Sequence, residues 1–216
     1  LTAMVSTLMP SAAAQNASNG KPHLLLMVAD DLGYGDLGYT GSAIKTPEID
    51  SLATGGRVLS RYYVNLCCSP TRAMMLTGRY DIRLGLQTQV IPNNRKYGLP
   101  LNEKLLPQLL KKEGYATHAI GKWDVGYVKE HCLPTKRGYE TFLGYYTACT
   151  SDYWYHGAPG GNLTASKCGG IAFHDSTEVN VQGAVMAGPG SLNNSYDQVV
   201  FTNRAVSLLR AHRANA

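Results

Sequence analysis

Residues 24–29 (LLLMVA) form a short continuous apolar run that ends at Asp30, Asp31 and a cluster of glycines. An apolar run of this length, bounded by turn residues, is typical of a strand that is buried on both faces. Such strands occur at the centre of largely parallel sheets, which helices cover on both sides. This run therefore predicts the first strand of an α/β fold.

The rest of the chain alternates between helix and strand signals. Thr46 followed by Pro47 predicts a helix start, because threonine caps a first turn and proline fits its first position. Further predicted elements are a strand at 57–64, a helix at 73–77, a helix from Pro107 to Gly114, a strand at 115–120 and a helix at 202–212. The order predicts a largely parallel sheet sandwiched by helices, with long loops over 145–195. No strand signal follows the last helix, so an incomplete domain is expected.

The composition excludes several classes of protein. The 216 residues carry a net charge of +5, and the 20 lysines and arginines are scattered instead of forming a basic stripe. Nucleic acid is therefore not an expected partner. No apolar run approaches the roughly 20 residues that a membrane-spanning helix needs. The mild positive charge favours anionic substrates and nothing more specific.

Residues 1–20 are moderately apolar and contain consecutive alanines from Ala12 to Ala14. This small-residue pattern is typical of the end of a signal peptide, and a disordered N-terminus is the alternative. Asn162 and Asn193 each begin an Asn-x-Ser/Thr triplet, which makes them candidate N-glycosylation sites. These features predict the secretory pathway, with a lysosomal or extracellular destination.

Five cysteines stand at positions 67, 68, 132, 149 and 168, and none forms a Cys-x-x-Cys pair. That spacing argues against a structural zinc site. Adjacent Cys67 and Cys68 are poorly placed to join each other, because a vicinal disulfide is strained. Cys149 and Cys168 bracket a loop-rich stretch and would suit a bridge, although spacing alone does not decide the pairing.

The first candidate for chemistry is the pair Asp30 and Asp31. It follows the predicted strand, and ligands of open α/β sheets bind beyond the carboxyl ends of strands. Adjacent carboxylates repel each other unless a cation shares them, and their oxygens suit Ca²⁺ or Mg²⁺; a solvated turn is the alternative. The glycines at 33–38 match a dinucleotide-binding pattern, but these carboxylates and Asp36 would repel a pyrophosphate. Nucleotide binding is therefore rejected.

The second candidate is the stretch from Cys68 to Arg72 (CSPTR), which is followed by LTGR at 76–79. A cysteine before a helix N-terminus lies where the helix dipole favours an anion, so its thiol would be reactive. Arg72, about one helical turn further on, adds a positive charge. A partly buried structural cysteine is the alternative.

These stretches together resemble the motifs of the sulfatase family. Cys-x-Pro-x-Arg followed by Leu-Thr-Gly-Arg is similar to the sulfatase signature, and the strand with Asp30-Asp31 and Gly-Lys-Trp at 121–123 stand in the family's order. The stretches 105–111 and 132–139 resemble the arylsulfatase B branch, with arylsulfatases I and J. The resemblance implies that residues 21–216 are the N-terminal part of a sulfatase catalytic domain.

The resemblance implies a mechanism based on a modified cysteine. Cys68 matches the residue that a formylglycine-generating enzyme converts to formylglycine, whose hydrated aldehyde carries two hydroxyls. One hydroxyl attacks the sulfur of a sulfate ester and releases the alcohol; deprotonation of the other re-forms the aldehyde and expels sulfate. The implied positions are Cys68, Arg72 and Lys122 for catalysis, Lys122 and His156 for substrate binding, and Asp30, Asp31 and Cys68 for one Ca²⁺ ion.

The sequence also departs from the family pattern. The family's Gly-Lys-Trp-His is Gly-Lys-Trp-Asp here, so Asp124 replaces a histidine that helps to expel sulfate. A carboxylate does not donate a hydrogen bond at neutral pH and repels sulfate, which predicts a loss of roughly 10³-fold in rate. The family's later metal-binding Asp-Asn pair has no counterpart in these residues.

The sequence therefore predicts an impaired sulfuric ester hydrolase of the arylsulfatase or N-acetylgalactosamine-4-sulfatase type, acting on an aryl sulfate or a sulfated glycan. The alternative is a catalytically dead sulfatase-like protein that binds sulfated glycans or a partner. A phosphatase of the same superfamily would use serine or threonine as its nucleophile, and Cys68 within a complete modification motif disfavours it.

Overall fold

The computed structural model describes residues 3–4, 21–92, 95–147, 173–177, 184–185 and 196–214. The chain forms two compact units, Leu1–Leu66 and Cys67–Ala216. Several predicted features lie outside the described residues: His156, the triplets at Asn162 and Asn193, the Cys149–Cys168 bridge and most of the segment 1–20.

The first unit contains a short antiparallel pair, β1 (Ala3–Met4) and β2 (Met27–Val28), with Ala3 opposite Val28. The prediction that this apolar run is buried on both faces is wrong, because the four side chains at 24–27 are 37–48% exposed. Among the described residues β2 pairs only with the two residues of β1, so it is not a central strand of a larger described sheet.

Helix α1 (Pro47–Gly55) confirms the predicted start at Thr46 and the predicted end at the glycines. The hydroxyl of Thr46 donates a hydrogen bond to Asp50 Oδ1 (2.9 Å) and accepts one from the Gly38 amide (2.8 Å). The same Asp50 oxygen accepts a bond from the Tyr39 amide (3.0 Å). Thr46 and Asp50 therefore join the helix to the 3-10 turn Gly38–Thr40, which follows the turn Tyr34–Asp36.

The strand predicted at 57–64 does not form, and this stretch has no regular secondary structure. Its apolar residues Val58, Leu59, Tyr62 and Tyr63 are 42–84% exposed. A strand needs a neighbour to accept its backbone hydrogen bonds, and no described strand pairs with this stretch.

Among its described residues, the second unit contains three α-helices and four strands. The helices are α2 (Cys68–Thr77), α3 (Leu106–Lys112) and α4 (Asp197–Ala214). The strands are β3 (His118–Lys122), β4 (Thr141–Tyr145), β5 (Phe173–Thr177) and β6 (Ala184–Val185). The strand order is β3-β4-β5-β6, which confirms the α/β class.

The described sheet of this unit is mixed. Strands β3 and β4 are parallel, whereas β4–β5 and β5–β6 are antiparallel. Strands β5 and β6 fall within residues 145–195, which the sequence predicts as long loops. The strand β5 was missed because its sequence (FHDST) is too polar to show a strand pattern. In the parallel pair Gly144 lies opposite Gly121, and a Cβ on Gly144 would overlap the Gly121 backbone. Glycine at both positions lets the two strands approach each other.

The described core of the second unit packs α2 together with β4 and with loops before and after β3. Its buried apolar side chains come from α2, the 84–105 loops, the segment after β3, and β4: Ala73, Leu76, Leu84, Leu86, Leu99, Leu105, Trp123, Val125 and Phe142. The Trp123 indole N–H donates to the Gly126 carbonyl (2.9 Å), so this large ring is buried without losing its hydrogen bond. The core therefore fixes the end of β3, where the predicted Gly-Lys-Trp motif lies.

Helix α4 packs on the sheet at β3 and β4. The Tyr145 hydroxyl donates to the buried carboxylate of Asp197 (3.1 Å), and the Tyr145 ring meets Phe201 edge to face at 5.9 Å. Arg204 forms an ion pair with Asp175 of β5. In the part of the chain that the structure describes, no helix has the length and apolar character of a membrane span.

Candidate active site

In the first unit, Asp30 and Asp31 come directly after β2 and are both exposed. One oxygen of the Asp30 carboxylate lies within 4.8 Å of one oxygen of the Asp31 carboxylate. Asp31 has a left-handed backbone (φ 56°), which aspartate adopts more readily than most residues. Two exposed carboxylates at this separation are hard oxygen donors of the kind that Ca²⁺ binds.

In the second unit, Cys68 is the first residue of α2, one position later than the extended N-cap residue Cys67. The next residues of the motif, Ser69 to Arg72, are all buried, whereas Cys68 is partly exposed. The Ser69 hydroxyl accepts a hydrogen bond from the Ile91 amide (2.9 Å). Burial of residues 69–72 and the Ser69–Ile91 hydrogen bond thus hold the motif in place. Its cysteine remains accessible at the positive end of the helix dipole.

The helix begins five residues before the predicted 73–77 segment. Pro70 does not stop it, because a proline in the first turn of a helix has no backbone hydrogen bond to lose. Helix α2 ends at Thr77, and the next residue, Gly78, has a left-handed backbone (φ 67°) that lets its amide donate to the Met74 carbonyl at 2.8 Å. The complete Cys-x-Pro-x-Arg motif therefore lies within one helix.

Arg72 joins this helix to the end of β3. Its side chain is 8% exposed, and its Nη1 donates to the main-chain carbonyl of Lys122. Tyr139 lies close to it, and burial raises the pKa of this phenol to about 12, with Arg72 acting in the opposite direction. The phenol is therefore neutral at physiological pH. The structure brings the motif helix and the predicted Lys122 together through this guanidinium.

Lys122 forms an ion pair with Asp124. The Lys122 Nζ lies 3.8 Å from Asp124 Oδ2, and the two side chains are 17% and 2% exposed. Asp124 has a left-handed backbone (φ 57°), and its amide donates to the Tyr146 carbonyl (3.2 Å), just beyond the β3–β4 pairing. The residue that departs from the sulfatase pattern therefore places a buried carboxylate against the predicted sulfate-binding lysine.

Arg79, the last residue of the LTGR stretch at 76–79, binds a different partner, Glu103. Its Nη1 donates to both carboxylate oxygens of Glu103, at 2.7 and 2.9 Å. The arginine side chain is half-exposed. Arg79 thus stabilises the loop that holds Glu103.

In the second unit the ring of His174 stacks on the ring of Tyr146. Their ring centroids are 4.1 Å apart with an angle of 16° between the planes. His174 Nδ1 has no hydrogen-bond partner among the described residues, and burial lowers the pKa of this imidazole. No spacing along the chain predicts the stack, because pairing of β5 with β4 creates it.

Comparisons with known proteins agree with this arrangement. A family model described as Sulfatase matches residues 22–215. Arylsulfatase J of Mus musculus is 46% identical over 143 residues, which are 66% of this chain and 24% of the relative. Arylsulfatase A of Bos taurus is 41% identical over 172 residues, 76% of this chain and 33% of the relative. The chain thus spans about a quarter to a third of the length of these curated relatives.

A solved structure supports the fold. It comes from work on the metabolism of multiple glycosaminoglycans by Bacteroides thetaiotaomicron and is similar with a TM-score of 0.55. The match covers 81% of this chain and 35% of the solved one at 20% identity, which bears on the fold alone. The α/β architecture, the helix that carries Cys68 to Arg72 and the family match over nearly the whole sequence lead to one conclusion: this chain belongs to the sulfatase family.

Proposed function

We propose that this chain is the part of a sulfuric ester hydrolase that supplies the nucleophile at Cys68 and a sulfate-binding ammonium group at Lys122. The observation that carries the proposal is the bond from Arg72 to the Lys122 carbonyl, because it joins the helix that begins at Cys68 to the strand that ends at Lys122. A nucleophile and a cation held by the same rigid elements are what attack on an anionic ester requires.

Within this proposal each residue has a distinct task. Cys68, converted to formylglycine by a modifying enzyme, would supply the hydroxyl nucleophile. Lys122 would bind a sulfate oxygen and offset the negative charge that grows in the transition state. Arg72 is a positioning residue, since its guanidinium binds a main-chain carbonyl. His156 would bind the substrate.

Asp30 and Asp31 would hold the family's Ca²⁺ ion. Their exposed carboxylates, with oxygens less than 5 Å apart, fit the hard oxygen donors that this ion prefers. When bound, Ca²⁺ would polarise a sulfate oxygen and lower the pKa of a neighbouring hydroxyl.

We also propose that turnover is slow in the natural sequence. Asp124 is buried beside Lys122 and offsets the charge that sulfate needs. A carboxylate in this place also cannot donate a proton to the leaving sulfate. This observation favours a second candidate function, a sulfatase-like protein that binds sulfated glycans without rapid hydrolysis. A secretory location remains part of the proposal, supported by the residue pattern at 1–20 and by the triplets at Asn162 and Asn193.

The test is hydrolysis of an aryl sulfate by the chain co-expressed with a formylglycine-generating enzyme. Mass spectrometry of the peptide that contains Cys68 reports whether the thiol has become an aldehyde. We expect slow sulfate release that a calcium chelator and the Cys68→Ala substitution abolish. Asp124→His should raise the rate by about 10²–10⁴-fold, the usual contribution of a positioned acid or base.

Two outcomes separate the candidates. Absence of Cys68-dependent sulfate release from the fully modified Asp124→His variant would refute the hydrolase proposal. Rapid turnover by the unsubstituted chain would instead refute the claim that Asp124 impairs it.

A further inference from the structure

A pair of histidines lies at the contact between helix α4 and strand β3. The Nε2 atoms of His118 and His212 are 3.1 Å apart. Their ring centroids are separated by 5.3 Å, with planes inclined at 58°. Both side chains are partly buried. His118 and Lys122 occupy opposite ends of β3, so about 13 Å of extended strand separates this pair from the candidate active site.

The environment of His118 orients its ring. Its Nδ1 lies 2.8 Å from the Thr141 hydroxyl on the adjacent strand β4. When Nδ1–H donates to that oxygen, the Nε2 lone pair faces His212. Metal-binding histidines are held in this way, with one ring nitrogen donating to an oxygen and the other ligating the ion. Burial, followed by the charge of His212, lowers the pKa of His118.

We propose that His118 and His212 form a two-histidine site for a borderline divalent transition metal, such as Zn²⁺, which would join α4 to the sheet. Two imidazole nitrogens at about 2.0–2.1 Å from a tetrahedral zinc ion lie roughly 3.3 Å from each other. The observed 3.1 Å is within a few tenths of an ångström of that separation. Water molecules would complete the coordination.

Charges of both signs act on the pair. Glu140, next to Thr141, raises the pKa of His118, whereas Arg204 on α4 lowers it. Arg204 itself binds Asp175, so its positive charge is partly offset. A dication would therefore enter a site that has the Glu140 carboxylate nearby. Imidazole ligands favour zinc, copper and nickel over calcium, which separates this site from the carboxylates of Asp30 and Asp31.

The test is zinc binding by the full chain, measured by titration calorimetry at pH 7.5. Accessible thiols are first alkylated, and an excess of Ca²⁺ is present to occupy carboxylate sites. We expect one Zn²⁺ per chain and an increase in melting temperature with zinc concentration. His212→Ala, a substitution near the end of α4, should weaken binding at least tenfold, and His118→Gln should do the same.

His131 provides the matched control. It is an exposed histidine in the same unit, within the 3-10 turn Glu130–Cys132, and His131→Ala should leave zinc affinity unchanged. The proposal is overturned if the chain binds no zinc under these conditions, or if His212→Ala and His131→Ala bind it equally well. Sulfatase activity is not part of the readout, so this result is independent of the proposed function.

Discussion

The Lys122–Asp124 ion pair leads to a quantitative prediction for sulfate binding. At 3.8 Å, an effective dielectric constant of about 20 gives an attraction of about 4 kcal/mol. Desolvation of the buried carboxylate offsets much of this, which leaves a net stabilisation of roughly 1–2 kcal/mol. Sulfate competes with Asp124 for the same ammonium group. Asp124→Asn should therefore tighten sulfate binding by about 5- to 30-fold.

The assay is calorimetric titration with sodium sulfate at constant ionic strength and pH 7.5. The matched control is Glu130→Gln, which removes the partner of Lys136 in a more exposed pair at 3.6 Å and should change the dissociation constant less than twofold. The double variant Lys122→Gln/Asp124→Asn should lose the gain. The reasoning is refuted if Asp124→Asn binds sulfate no more tightly than the parent, or if the double variant keeps the improvement.

Three further predictions concern stability. Arg72→Lys should lower the free energy of unfolding by about 1–3 kcal/mol, because the Lys122 carbonyl loses its guanidinium donor. The control, Arg79→Lys, changes a half-exposed ion pair and should lower the free energy of unfolding by less than about 1 kcal/mol. Equal losses for the two variants in urea titrations would contradict this prediction. Burial lowers the pKa of His174 below its ordinary 6.5, so its stabilising contribution is present above pH 6.5 and lost as the pH falls through the folded-state pKa. His174→Phe should reduce that dependence in melts at several pH values, and an unchanged slope would count against it. In the first unit, Asp50→Ala removes the acceptor of two hydrogen bonds and should speed hydrogen exchange at the Tyr39 amide, whereas Glu48→Ala should not.

Local signals in the sequence predict the parts of the fold that depend on neighbouring residues. Helix α1 begins after Thr46 and ends at Gly55 because its caps are within the stretch itself. Strand β5 could not be predicted, since its polar sequence becomes a strand only through pairing with β4. The apolar stretch 57–64 shows the converse, because it has strand-forming residues but no described partner.

The candidate site likewise has residues that the sequence motifs indicate and contacts that only the tertiary fold creates. The resemblance to the sulfatase motifs implied site roles for Cys68, Arg72 and Lys122. Their physical connection, a guanidinium bound to a carbonyl fifty positions further along the chain, depends on how α2 packs against β3. The pairing of His118 with His212, ninety-four positions apart, likewise has no signature in the sequence.

The burial of residues 69–72 bears on whether Cys68 can be modified before or after the chain folds. Ser69, Pro70 and Thr71 are buried within the first turn of α2, and the Arg72 guanidinium donates to a main-chain carbonyl. An enzyme that recognises the motif through these side chains would find them hidden once the unit has folded. Conversion of Cys68 would then have to take place on the nascent or extended polypeptide, in competition with the rate of folding.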